Sequence, residues 1–241
     1  MNVLIPIVSG GKGNENNQYI RSLFEIQKKT ILEYVYDSLA HLKDAHFTVV
    51  INKEDARKYH LDNMVHLLIP DCKIIISDGE TKGAACSCLL AVDDIVDEES
   101  LIIVGGDQLL LENPQNIVDS FQKEDYDGGV VIFEDIHPRW SYVKLNEEGL
   151  VIEAAEKRPI SRNATTGFYY FKRGEDFVRS AEDMIRKGAS VDGKYYVCPA
   201  FNEMVLRHKR IGTYRISKMD YFNFGQQKSV DDYERYLKGE Q

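Results

Sequence analysis

The feature that most constrains this chain is a series of short, continuous apolar runs, each bounded by turn residues. They stand at Val3 to Val8, Phe47 to Ile51, Lys73 to Ser77, Leu101 to Val104 and Gly129 to Phe133. A strand with no polar face has to be buried on both sides, which is the situation of largely parallel strands covered by helices. Between the runs the spacing becomes helical. Ile31, Leu32, Val35, Leu39 and Leu42 recur at three- and four-residue intervals, and Cys88 to Val92 and Ile117 to Phe121 belong to two further helices. Strands alternating with helices build βαβ units, so the first two-thirds of the chain is predicted to be a doubly wound α/β structure. After about Asp135 the texture turns β-rich. Ser141 to Leu145 and Leu150 to Ala155 flank the turn Asn146-Glu147-Glu148-Gly149, and Thr166 to Phe171 reads as a returning strand. A helix at Glu175 to Lys187, a helical stretch from Phe201 to about His208, a strand at Gly212 to Ile216 and a final helix after Ser229 complete the pattern. No internal repeat or low-complexity linker divides it, and one domain over residues 1–241 is expected.

Composition narrows the partners. Asp and Glu outnumber Lys and Arg 39 to 30, a formal net charge of -9, which argues against a general nucleic-acid or anionic-membrane surface. An anionic ligand would need cations gathered locally. Cys72, Cys86, Cys88 and Cys198 lack the spacing of a disulfide framework, and the C-x-C pair has no second pair or His cluster to complete a zinc site. They are expected to be buried, reduced thiols. There is no basic leader and no apolar run of about 18 residues, so a cytoplasmic protein is expected and the Asn163-Ala164-Thr165 sequon carries no chemistry.

Three segments could carry chemistry. The first strand runs into Ser9-Gly10-Gly11-Lys12-Gly13-Asn14. Small residues at the carboxyl end of a strand let backbone N–H groups approach a phosphate, although the same residues also make a plain tight turn, and neither the Walker nor the full dinucleotide pattern is met. Next, Leu101-Ile102-Ile103-Val104-Gly105-Gly106-Asp107 delivers a carboxylate just past a strand end. That is what Mg²⁺ bound to substrate phosphates requires, and equally a solvated turn aspartate. Last, Ala155-Glu156-Lys157-Arg158-Pro159 ends a strand with two cations that could neutralise a phosphate and a glutamate that could accept from hydroxyls or an amine. Trp140 and Tyr142 precede that hairpin as an apolar wall, either core or ligand contact.

Taken in order, these segments resemble the sugar-phosphate nucleotidyltransferases, and the resemblance covers nearly the whole chain. Ile5 to Gly13 resembles the family's first strand and Gly-rich NTP loop. Arg21-Ser22-Leu23-Phe24-Glu25-Ile26 followed by Lys28 to Tyr34 resembles its K-P-L-L-P-I…K-P-(M/L)-I-E-Y stretch, and Asp78 to Ala85 its nucleotide-contacting G-T-A segment. Gly106-Asp107 looks like the G-D metal site, Glu156-Lys157 with Pro159 the E-K-P motif, and Asn163 to Phe171 the (N/A)-x-G-x-Y-x-F strand. Phe224 to Gln227, then Asp231 to Tyr233, takes the place of G-T-P-x-D-(L/Y). The resemblance implies a GT-A or Rossmann-like α/β fold with a mixed, mostly parallel sheet and a small β-rich acceptor part. Residues 1–135 would bind the NTP and residues 136–241 the acceptor.

By that resemblance Ser9, Gly10, Gly11, Gly13, Gly83, Ala84 and Gly106 are the expected nucleotide contacts, and Lys12, Arg21 and Lys157 the catalytic cations. Glu156, Lys157, Thr166 and Trp140 would meet the acceptor, and Asp107 with Asn223 would hold Mg²⁺. Two departures stand out: Asn14 and Glu15 replace the Arg that usually follows the Gly loop, and Asn223 replaces a second metal-binding Asp, with Asp220 nearby. The expected reaction joins an NTP, CTP first, to a sugar phosphate or another small phosphorylated metabolite, with release of pyrophosphate. The stretch from His137 to Tyr142 and Pro159-Ile160-Ser161 resembles nucleotidyltransferases of bacterial surface-polysaccharide clusters, some of them cytidylyltransferases. A GT-A glycosyltransferase is the rival enzyme, though it would normally show D-x-D where this chain has Gly105-Gly106-Asp107. A non-catalytic nucleotide-binding regulator is the alternative from another class.

Overall fold

The structure is a computed structural model, and it describes residues 1–7, 21–95 and 97–239. Strand β1 (Asn2–Pro6) is buried along its whole length. Its side chains alternate between two cores: Val3 and Ile5 enter one apolar cluster and Leu4 the other. That two-sided burial is why the run is uninterrupted by polar residues. A small hairpin, β2 (Glu25–Ile26) and β3 (Lys29–Thr30), leads to α1 (Ile31–Leu39), whose first turn is capped by Thr30 Oγ1 accepting from the Glu33 N–H at 3.2 Å. Then follow β4 (His46–Asn52), α2 (Lys53–Tyr59), α3 (Leu61–Leu68), β5 (Lys73–Ser77), α4 (Ala84–Leu89), β6 (Leu101–Ile103), the short β7 (Gln108–Leu110) and α5 (Pro114–Lys123). The β-rich part contains β8 (Gly128–Glu134), β9 (Ser141–Leu145), β10 (Val151–Glu156) and β11 (Asn163–Phe171). The chain closes with α6 (Gly174–Arg186), α7 (Phe201–Leu206), β12 (Ile211–Arg215), β13 (Tyr221–Asn223) and α8 (Gln227–Leu237).

Nine of these strands, among the described residues, form one mixed sheet in the order β10-β9-β11-β6-β1-β4-β5, with β8 on β11 and β12 on β8. The half built from the first apolar runs is parallel: β6, β1, β4 and β5 all run the same way. Strand β11 joins antiparallel to β6, β8 and β9, and so couples the parallel half to the hairpin of β9 and β10. Thus the α/β sheet expected from the sequence is present, and its antiparallel members come from the β-rich part. Among the described residues no helix is long and apolar enough to cross a membrane. The four cysteines are free.

Two local readings need correction. The helix placed at Cys88 to Val92 starts earlier, at Ala84, and ends at Leu89, with Val92–Asp94 a separate 3-10 turn. Helix α3, which buries Leu61 and Val65 one turn apart, was missed in the sequence, and so was α2, which buries only Asp55 and Ala56 and shows no apolar stripe. It is set instead by its ends: Asn52 Oδ1 accepts from the Glu54 N–H at 2.8 Å, and His60, in the left-handed conformation, separates it from α3.

Candidate active site

A cavity of about 420 Å³ opens beyond the carboxyl ends of β1, β4 and β6, where Ile7, Asn52 and Gly105 form part of its floor. That is the edge at which open α/β sheets bind ligands, and the volume is in the range of small-molecule sites. Its wall continues across the sheet to β10 and β11, so residues from both halves of the chain face one space.

At one end stands Asp107. Strand β6 carries the chain to Gly105 and Gly106, and the small antiparallel pair of β7 and β13 holds the next turn in place. Asn223 pairs in register with Gln108, and the Phe224 N–H donates to the Asp107 carbonyl at 2.9 Å. Asn223 Oδ1 accepts from the Gly225 N–H at 2.9 Å, and its Nδ2 donates to the Tyr221 hydroxyl at 3.3 Å. Burial raises the Asp107 carboxyl above its ordinary value, opposed by a backbone hydrogen bond and by the positive charge of Arg21. Gly106 does not line the cavity: it packs against Ile5 and Ile7, and its neighbour Gly105 is the one exposed to the space.

Among the described residues no group of three or more His, Cys, Asp or Glu converges, so a cage made wholly of protein ligands is not formed there. What Asp107 and Asn223 offer is one carboxylate and one amide oxygen with a lone pair to spare. That donor set fits a hard cation such as Mg²⁺, which usually completes its octahedron with phosphate oxygens and water.

The end of β10 supplies another part of the lining. Glu156 is buried there and Ser141 Oγ donates to its Oε2. Burial raises the Glu156 carboxyl, partly offset by the Ser141 hydrogen bond and by Lys157. Lys157 turns the chain with φ 52° and sends its N–H to the Trp140 carbonyl at 3.0 Å. Its ammonium donates to the Tyr196 hydroxyl at 3.0 Å and reaches Asp192 at 3.4 Å. Those hydrogen bonds to Tyr196 and Asp192, with the fields of both groups, hold the Lys157 pKa above its ordinary value against the cost of burial.

The end of β10 is joined to the Gly83 segment by the turn that carries Asp192, Lys194, Tyr195 and Tyr196. The Tyr195 N–H donates to the Lys82 carbonyl at 2.6 Å, and the Ala85 N–H donates to the Tyr195 carbonyl at 3.1 Å. This contact passes directly over Gly83, whose φ is 109° and where a Cβ would fall 2.4 Å from the Tyr195 oxygen. Gly167 answers a similar demand. At φ 87° it bends β11 beside Gln108, whose Oε1 would stand 2.1 Å from a Cβ there.

The profile of the nucleotidyl transferase family matches residues 7–200. The chain belongs to that family. Solved structures resemble this nucleotidyl transferase along its full length. A nucleoside-diphosphate-sugar pyrophosphorylase from Vibrio cholerae RC9 superposes with a TM-score of 0.81 at 22% identity, over 98% of this chain and 100% of that one. A UDP-glucose pyrophosphorylase, solved with UDP-glucose, gives a TM-score of 0.76 at 15% identity, over 99% of this chain and 98% of that one. A Bacillus anthracis chain described as a glucose-1-phosphate thymidylyltransferase, in complex with a sucrose, gives 0.74 at 16%, over 98% and 93%. At such identities the likeness carries the fold. No curated protein matches the chain in sequence.

Of the positions singled out in the sequence of this nucleotidyl transferase, Gly83, Ala84, Asp107, Trp140, Glu156, Lys157, Thr166 and Asn223 border the one cavity. Arg21 acts on Asp107 through its charge from a short 3-10 turn. Ser9, Gly10, Gly11, Lys12 and Gly13, with Asn14 and Glu15, lie outside the described residues. Two of the acceptor candidates are busy elsewhere. The Thr166 hydroxyl donates to the Val131 carbonyl at 3.4 Å and accepts from the Phe168 N–H at 3.3 Å, so it serves the bend of β11. Trp140 packs edge-on to Phe133 and sends its indole N–H to Asp135 at 3.0 Å, leaving the ring as wall. Sequence reasoning missed Gln108, Arg139, Ser141, Lys194 and Tyr196 as cavity residues. Ser141 alone had a readable signal, since it opens the strand paired with β10 and falls opposite Glu156 in register.

Proposed function

We propose that this nucleotidyl transferase condenses an NTP with a small phosphorylated metabolite and releases pyrophosphate. The observation that carries the reading is that Asp107 and the Glu156–Lys157 pair line one cavity. A phosphate oxygen of the acceptor attacks the α-phosphorus of the NTP. The new bond is P–O, the bond to the bridging oxygen of the β-phosphate breaks, and its electron pair leaves with pyrophosphate. A phosphate monoester is already anionic near neutral pH, so the attacking oxygen needs no general base. What remains for the chain is to position two anions and to offset their mutual repulsion.

In this reading Lys157 binds the acceptor phosphate, exchanging Asp192 for it, while Tyr196 keeps the ammonium aimed at the cavity. Glu156, fixed by Ser141, accepts from hydroxyl or amine groups of the acceptor body. Gly83 and Ala84, where the turn of residues 191–196 docks, line the nucleoside side. Asp107 and Asn223 would hold Mg²⁺, which, when bound, neutralises charge on the triphosphate. Arg21, and Lys12 of the Gly loop, would add to that neutralisation.

CTP heads the list of donors, with a sugar phosphate, phosphocholine or a phosphorylated amino acid as acceptor, and surface-polysaccharide precursors as the destination. What supports this is the resemblance of His137 to Tyr142 and of Pro159-Ile160-Ser161 to such enzymes. The test is a pyrophosphate-release screen of the four NTPs against sugar phosphates, phosphocholine, phosphoethanolamine and phosphorylated amino acids, with Mg²⁺ present. One strongly preferred pair is the expected outcome. Release of an NDP from a nucleotide sugar, with no pyrophosphate from any pair, would replace this reading by glycosyl transfer.

A further inference from the structure

Two cations among the described residues of the cavity lining, Lys194 and Arg139, have no part in the scheme above, and Arg139 is the one whose side chain is fixed by neutral contacts beside Asp107. Arg139 lies between β8 and β9, just before Ser141, and borders the cavity. Its two fixed contacts are neutral. Nη1 donates to Gln226 Oε1, and the guanidinium stands 4.4 Å from the centroid of the Trp140 ring. In the cavity lining Lys157 meets a carboxylate, as do Arg158 and Arg162 outside it, whereas the ion pairs among the described residues leave Arg139 out. Asp135, the nearest acid along the chain, is already consumed: it accepts from the Trp140 indole, from Lys218 and from the Ile136 and His137 N–H groups.

Arg139 is also at the Asp107 end of the cavity. Burial chiefly raises the Tyr221 hydroxyl pKa, and among the smaller influences Asp107 raises it and Arg139 lowers it, so Tyr221 lies within reach of both charges. Gln226, which holds Arg139, follows Gly225, and Gly225 borders both Asp107 and Asn223. A guanidinium has five N–H donors in a planar fork, and the contact with Gln226 employs one edge of it. Its seat over the Trp140 ring and its bond to Gln226 restrain the guanidinium, so less freedom is lost when another ligand takes the remaining donors. A positive charge held open by neutral contacts, beside a metal-type carboxylate and in a chain of net charge -9, is arranged for an anion from outside.

We propose that Arg139 is a substrate-binding residue that takes phosphate oxygens at the Asp107 end of the cavity, by the bidentate geometry guanidinium groups use for phosphates. Those oxygens belong either to the departing pyrophosphate moiety of the NTP or to the acceptor phosphate, and this inference rests on the nucleotidyl-transfer reading above. Arg139→Gln keeps much of the length and removes the charge. Arg139→Lys keeps the charge and removes the fork. Arg162→Gln, which changes an exposed arginine paired with Glu134 away from the cavity, is the charge-matched control.

Calorimetric titration of each purified variant with inorganic pyrophosphate and with CTP, GTP, UTP and ATP gives a readout that does not depend on turnover. Thermal unfolding of the same samples establishes that each variant is folded. Arg139→Gln is expected to weaken pyrophosphate and NTP binding roughly 10- to 100-fold, with Arg139→Lys between it and wild type and Arg162→Gln unchanged. If pyrophosphate binding is unchanged and the acceptor KM rises by that factor instead, the oxygens are those of the acceptor phosphate and the assignment of Arg139 stands. Arg139→Gln matching Arg162→Gln in both arms overturns it. Wild-type protein that binds neither pyrophosphate nor any NTP overturns the nucleotidyl-transfer reading itself, and this inference with it.

Discussion

Gly83→Ala is the smallest change that tests whether the Gly83 and Lys157 sides of the cavity are mechanically joined. The new methyl group would stand 2.4 Å from the Tyr195 carbonyl oxygen and 2.8 Å from its nitrogen, both backbone atoms that cannot rotate aside. The residue would also sit at φ 109°, where an L side chain costs about 1–3 kcal/mol. Relief of the clash requires the turn to lift, which breaks the hydrogen bonds from Tyr195 to Lys82 and from Ala85 to Tyr195. At roughly 0.5–1.5 kcal/mol each, their loss brings the total to about 2–6 kcal/mol. A midpoint shift of about 2–4 °C per kcal/mol for a chain of this size makes that a fall of at least about 4 °C in thermal unfolding. Lifting the turn also withdraws the Tyr196 hydroxyl from Lys157, so on the proposed function the acceptor KM should rise even though the substitution is at Gly83. The assays are thermal unfolding and steady-state pyrophosphate release with acceptor varied at saturating NTP. A variant with an unchanged midpoint and an unchanged acceptor KM would refute the reasoning.

Other expectations follow from single groups. Asp107→Ala should abolish pyrophosphate release in a coupled assay, a loss of about 10² to 10³ in rate or more, and near-wild-type turnover would remove it from the metal site. Lys157→Ala should act mainly through the acceptor, raising its KM while the NTP KM stays within a small factor; unchanged acceptor kinetics would exclude Lys157 from the site. Glu156 links function to pH. Burial raises its carboxyl, so between the ordinary glutamate value of about 4.3 and the raised folded value the folded chain holds a proton that the unfolded chain has lost. Its contribution therefore makes stability fall as pH rises through that window, and Glu156→Gln should flatten this part of a pH series of urea midpoints; an unaltered slope would count against the burial. Phe171→Ala, which removes a ring stacked on Phe201 at 4.9 Å, should cost about 3–5 kcal/mol of unfolding free energy and leave the KM values of surviving folded enzyme intact.

What could be read in the sequence, and what could not, divides along a physical line. Strands β1, β6 and β8 were legible because burial on both faces removes polar residues from them, whereas β4, buried only over Val49 to Ile51, and the edge strand β5, which leaves Ile76 half exposed, were legible from their runs of β-branched residues. Asp107, Glu156 and Lys157 were legible for a related reason. Each stands at or just past a strand end, where topology alone delivers a side chain to the ligand-binding edge. Helix α2 was not, since its apolar content is Ala56 and its boundaries rest on a cap and a left-handed residue. The missed cavity residues share a different property: their roles are made by partners far along the chain. Tyr196 meets Lys157 across 39 residues, and Arg139 meets Gln226 across 87. No local pattern requires a tyrosine or an arginine at either place.

Gly83 stands between these two cases and explains why the division is not simply one of local against distant. In the sequence it is a turn glycine opening a helix, which its place before α4 fully accounts for. In the folded chain the absent Cβ is what admits the Tyr195 carbonyl to the Ala85 N–H, so a local permissive residue fixes where a turn more than one hundred positions later is seated. Through that turn the Gly83 side of the cavity is tied to Tyr196, and Tyr196 to Lys157. Binding on one side can therefore alter the other without any large movement, because two backbone hydrogen bonds and one phenol join them. The coupling has a direct consequence: loss of the Tyr196 hydroxyl in Tyr196→Phe should uncouple the two sides, so that NTP at saturation no longer changes the acceptor affinity measured in its absence. If wild type and Tyr196→Phe show the same ratio of acceptor affinities with and without a non-hydrolysable NTP, the turn is a passive spacer.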